Sequence, residues 1–123
     1  MNRFEPLGNL EPLRAPMDAI RTAARSTELE RVLVVAGRRR ARDLVELRDR
    51  VVQRWPDRVQ RGDGPGELVV DTGRRWFVVR TVRWPEDFLD PKWRPQLVVV
   101  DLFLPFAVLN RLRPSPRRQV LPW

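Results

Sequence analysis

Cysteine, histidine and tyrosine are absent from this chain, and of its 24 basic residues a single one, Lys92, is lysine. Without cysteine there is no disulfide and no thiol nucleophile. Without histidine the familiar catalytic triads cannot be assembled. A zinc ion would be left with carboxylates alone, an unusual ligand set. The lack of cysteine leaves the redox compartment open. Long hydrophobic runs are missing too. The longest, Leu97 to Phe106, is broken by Asp101 and falls well short of the ~20 residues of a membrane span. The opening MNRFEPLGNLEP has no apolar segment of the kind that marks a secretory signal. These absences point to no membrane partner, no metal and no bound cofactor, in the cytoplasm or a viral particle. Carboxylates with Mg²⁺, backbone phosphate cradles and Lys92 are the chemistry left.

What is present is charge. Lysine and arginine together number 24 against 16 acidic residues, a net charge of +8 in 123 residues. Arginine pairs well with phosphate, so the balance points to a polyanionic partner, most simply nucleic acid. A GC-rich coding bias would explain arginine in place of lysine, but not the excess of positive over negative charge. The length suits one modest core, and 42% hydrophobic residues put the chain in the globular range.

The order of patterns along the chain predicts an α/β domain. Residues 1–15 hold Pro6, Gly8 and Pro12 and read as an N-terminal arm. Pro16 stands where a first helical residue is expected, and Met17, Ile20 and Ala24 share a helical face running to about Thr27. The run RVLVVAG, Arg31 to Gly37, reads as a buried strand. A long helix is expected from about Arg39 to Trp55, its apolar stripe including Leu44, Val45, Leu47, Val51 and Val52, with Pro56 as its stop. Residues 57–66 read as a polar loop. Glu67–Asp71 and Arg75–Arg83 form a hairpin turning at Thr72 and Gly73. Leu97–Leu104, LVVVDLFL, reads as the central strand, parallel to the first through a crossover. The whole is a small mixed sheet with a parallel βαβ crossover and an antiparallel hairpin over residues 16–106, followed by a basic, Pro-rich tail over 107–123.

The order of RVLVVAG, RRRARDLVELRDRV, GELVVDTGRRWFVV and LVVVD resembles the ATPase core of RecA-like P-loop proteins, in particular helicases and phage large-terminase subunits. The resemblance spans roughly Met17 to Leu104. It implies a motor-type α/β core in which Asp101 occupies the place of the Walker B aspartate. The sequence departs from that family at the decisive points. There is no G-x-x-x-x-G-K-[ST] loop to cradle phosphates, and Leu102 follows Asp101 where the family has a catalytic glutamate. The resemblance therefore implies a degenerate relative without ATPase activity.

Candidate site residues follow from charge and position. Arg38, Arg39, Arg40 and Arg42 crowd the start of the long helix, an end that is already electropositive. An anion bound among them would gain from the side chains and from free backbone N–H groups. The cluster also lies just past the carboxyl end of a parallel strand, where open α/β folds bind ligands. Arg74 and Arg75 at the hairpin tip are expected to extend the patch, and Asp43, Glu46 and Asp49 to neutralise part of it. Trp76, Trp84 and Trp93 offer either stacking surfaces or packing. The expected function is non-catalytic nucleic-acid contact led by phosphates. Two alternatives stand beside it. The terminal arms, with QVLPW at the end, suit docking on partner subunits of an assembly. Asp90-Pro91-Lys92 matches half of the PD-(D/E)xK nuclease signature, with Asp71 or Asp101 as a further Mg²⁺ carboxylate.

Overall fold

A computed structural model describes residues 11–123. The expected N-terminal arm lies largely outside the described residues. The described residues form a mixed α/β fold built on one six-stranded sheet. Its elements are helix α1 (Arg14–Arg25), strand β1 (Arg31–Ala36), a 3₁₀ turn (Arg38–Arg40), helix α2 (Ala41–Arg54), strands β2 (Val59–Arg61), β3 (Glu67–Asp71), β4 (Trp76–Arg83) and β5 (Leu97–Val100), helix α3 (Phe106–Arg111) and strand β6 (Gln119–Pro122). The strand order is β2-β3-β4-β1-β5-β6. β2, β3 and β4 pair antiparallel, while β4, β1, β5 and β6 run parallel. Strand β1 is central and its Val32, Val34, Val35 and Ala36 are fully buried, as an unbroken apolar run between two covered faces requires.

The pleat divides those side chains between two cores. On one face, Val32, Val34 and Ala36 meet Phe77, Val79, Leu97 and Val99, covered by Leu13, Met17, Ile20 and Ala23 of the α1 region and by Leu44, Leu47 and Val51 of α2. Trp55 closes this core edge-on against Phe77, ring centroids 6.0 Å apart. On the other face, Leu33, Val35, Val82, Val98 and Val100 pack against Leu89, Leu104, Val108 and Leu112. The apolar stripe of α2 is narrower than its sequence suggests: Val45 and Val52 are 63% and 47% exposed, because one sheet can cover only the Leu44–Leu47–Val51 face. Pro16 is the third residue of α1; its missing N–H falls in the first turn, where no intrahelical acceptor exists.

Three local differences from the sequence reading have physical causes. Residues 59–61, inside the expected polar loop, form β2, since β3 offers a free edge for Val59, Gln60 and Arg61 to pair with Val70, Val69 and Leu68. The hairpin turn is as expected, with Gly73 at φ +89° and its N–H held by the Asp71 carboxylate at 2.8 Å. The apolar run after Leu97 stops being a strand at Val100. There the Asp101 carboxylate accepts the Phe103 N–H at 3.0 Å and the Asp101 carbonyl accepts the Leu104 N–H at 3.1 Å, turning the chain. Finally, the stretch beyond residue 107 is no free tail. It completes α3 and returns as β6 in register with β5, Leu97 facing Gln119 and Val100 facing Pro122. Trp123 is fixed by its N–H to the Val100 carbonyl at 2.9 Å and by its indole N–H to the Pro12 carbonyl at 2.6 Å. The docking arm expected from QVLPW is thus spent on the chain's own sheet edge.

Candidate nucleic-acid interface

The connection leaving β1 runs towards β2–β4, and the one leaving β5 runs the opposite way to β6. The carboxyl ends of β1 and β5 therefore flank a topological switch point, the usual place for a ligand in an open α/β sheet. Gly37 and the 3₁₀ turn Arg38–Arg40 lie on one side of it, and Asp101 to Phe103 on the other. Asp101 joins the two sides. Its buried carboxylate accepts the Gly37 N–H at 3.2 Å and the Phe103 N–H, and faces Arg39 at 3.7 Å and Arg40 at 3.8 Å. An uncompensated carboxylate in this position would be costly; here two backbone donors and two guanidiniums surround it. Asp101 is thus committed to bracing the loop that follows β1.

The four clustered arginines are brought together but used differently. Arg40 is mostly buried, lies over the Trp123 ring at 4.5 Å and pairs with Asp43 at 3.1 Å. Its role is to join the helix start to the C-terminal strand. Arg38 is 73% exposed and donates to Glu86 in the loop after β4. Arg39 is 51% exposed, with its guanidinium over the Phe103 ring at 3.6 Å. Arg42 is exposed on the first turn of α2. Partial desolvation pushes the Glu86 carboxyl up. The Arg38 hydrogen bond, a backbone N–H and the charges of Arg38 and Arg83 outweigh this and hold it below the usual carboxylate range. The expected neutralising role of Glu46 and Asp49 goes largely to Asp43, Glu86 and Asp101.

Arg74 and Arg75 do not extend this patch. β4 runs parallel to β1, with Val78 beside Arg31 and Arg83 beside Ala36, so the hairpin tip lies at the opposite end of the sheet. Arg75 has a local task there. Its guanidinium donates to the carbonyls of Ala23, at 3.0 Å, Ser26 and Leu29, which lie at and just past the end of α1. Those carbonyls need donors, and a cation at a helix C-terminus also suits the helix dipole. Arg74 is exposed.

The tryptophans divide as well. Trp84 and Trp93 pack against the second core, and Trp93 also lies under two guanidiniums, Arg31 at 5.7 Å and Arg80 at 4.7 Å. Trp76 is 60% exposed beside a cavity of about 1050 Å³ whose walls carry five carboxylates and three guanidiniums, a lining that does not favour phosphate. The nuclease constellation does not assemble: Asp90 accepts the Lys92 N–H at 2.9 Å in a turn, and Asp71 and Asp101 sit at opposite ends of the sheet. Among the described residues no three carboxylates come together as a metal site.

Sequence reasoning missed the aromatic side of this end of the sheet. Leu102, Phe103 and Phe106 are 58%, 75% and 81% exposed, and Phe88, two residues after Glu86, is 77% exposed. The signal was Asp101 inside an apolar run with Pro105 close behind: a turn there sends alternate apolar side chains outwards. No family model matches this chain, and no similar curated protein or solved structure was found.

Proposed function

We propose that this domain binds nucleic acid without catalysis, through the phosphate backbone, at the carboxyl ends of β1 and β5. The observation that carries the reading is the placement of Arg38 and Arg39, 73% and 51% exposed, beside the exposed Arg42 at the switch point of a sheet in a chain of net charge +8. Guanidiniums at these positions meet phosphates with paired N–H donors. Contacts of this kind position a strand but read no sequence.

The kinship with P-loop motor cores remains part of the proposal. In its favour is an acidic residue at the end of a parallel strand next to the loop after β1. That loop is GRRR, and its Gly37 N–H is already given to Asp101, so the reading is of a relative that kept the core and lacks hydrolysis. The experiment is fluorescence anisotropy with labelled DNA of several unrelated sequences. The combined Arg38→Ala, Arg39→Ala and Arg42→Ala variant is expected to lose affinity equally on all of them. Unchanged affinity with a folded variant removes the site assignment.

A further inference from the structure

Among the described residues, the phenylalanines at this end of the sheet are left largely exposed. Leu104 and Val108 turn into the second core, while Phe103 and Phe106, on the same short segment, stay 75% and 81% exposed. Phenylalanine has no polar atom to compensate, so leaving such rings in water forgoes a large part of the free energy of burial. One ring face of Phe103 is occupied by the Arg39 guanidinium at 3.6 Å. Both members of this stack are fixed by the same buried group: Asp101 accepts the Phe103 N–H at 3.0 Å and faces Arg39 at 3.7 Å. The unit therefore presents a flat apolar surface with a cation alongside it, next to a carboxylate in the core.

We infer that Phe103 and Phe106 form a stacking platform for unpaired bases, so that the preferred ligand is a single strand. This rests on the phosphate-binding reading above and extends it. A duplex buries its base faces in its own stack and offers only phosphates to Arg38, Arg39 and Arg42. A single strand offers phosphates to those arginines and free base faces to the rings, a combination tolerant of sequence because every base has a π face. The basic character of the surroundings favours this occupant over an uncharged apolar partner.

The test compares a labelled oligo(dT) of about 20 nucleotides, long enough for one domain's footprint, with a duplex of equal length, using the full chain. Wild type is expected to bind the single strand about tenfold or more tightly than the duplex. Phe103→Ala with Phe106→Ala should lose about tenfold or more on the single strand and stay within about twofold on the duplex, while Phe103→Trp keeps the preference. Circular dichroism checks that each variant is folded. Equal binding of both strands by wild type, or an unaltered preference in the double variant, overturns the platform while leaving the phosphate site standing. Binding to neither strand overturns both. Phe-dependent sedimentation with vesicles containing anionic lipid, without Phe-dependent binding of the single strand, would assign the rings to a membrane surface and overturn the inference.

Discussion

Asp101 is the residue on which the site depends, and its environment sets what a substitution does. Asp101→Ala leaves the Gly37 and Phe103 N–H groups without their acceptor and places Arg39 and Arg40 against an uncharged wall. Hydrogen bonds to a charged acceptor are worth about 1.5–3 kcal/mol each, with partial relief from water here. Urea unfolding should show a loss of about 2–3 kcal/mol. A stability unchanged from wild type would mean that the carboxylate braces nothing. Glu86 acts in the opposite sense, by occupying Arg38. Its carboxyl is held below the usual range, so its support of the folded state is complete above about pH 4.5 and is lost as the pH falls through its lowered value. Glu86→Gln frees Arg38 and removes a negative charge from the patch. It should tighten DNA binding severalfold at neutral pH in anisotropy measurements while barely moving the unfolding midpoint, since exposed pairs contribute little. The Arg38–Arg42 run and the odd aspartate in LVVVDLFL were both legible as candidates from sequence. That Arg40 belongs to packing was not, because its partner Trp123 lies 83 positions away along the chain, and nothing local announces that contact.

At the scale of elements, the legible parts are those whose cause is local. β1, α2 and the β3–β4 hairpin follow from apolar periodicity bounded by Gly37, Pro56 and Gly73. β2 and β6 were hidden because three or four residues of mixed polarity become strands only when a neighbouring edge is free to pair with them. Arg75 was misplaced for the same reason: its acceptors at the end of α1 are distant in sequence, and a hairpin tip cannot be assigned to one end of a sheet until the parallel register is known. Arg75→Ala should cost about 2–3 kcal/mol, three carbonyls losing their donors, with DNA affinity unchanged. A fall in affinity without a fall in stability would restore Arg75 to the interface. Removing residues 119–123 strips β6 from β5 and uncovers both cores where Val120, Leu121 and Trp123 pack. A loss of about 3 kcal/mol follows from the apolar surface exposed, read as a melting midpoint about 10 °C or more lower. A truncated chain that melts like wild type would return this segment to the role of a free arm.

For the whole molecule, the two ends of the sheet are specialised. The amino ends of the parallel strands are closed by Arg75, Gln96 and the hairpin turn. Gln96 accepts the Glu30 and Arg31 N–H groups at 2.7 and 3.0 Å. The carboxyl ends gather Arg38, Arg39 and Arg42 with exposed phenylalanines around a buried carboxylate. A net charge of +8 adds long-range attraction for a polyanion, which speeds encounter and fades with salt. The measurement that tests this most directly is the affinity of the purified protein for DNA across a salt series, alongside the combined Arg38, Arg39 and Arg42 alanine variant. The account predicts that log affinity falls linearly with log salt with a slope of about −2 to −3, as about three released phosphate contacts require, and that the slope shrinks towards zero in the variant. Binding that is absent even at low salt, or that keeps its full slope in the variant, would contradict it.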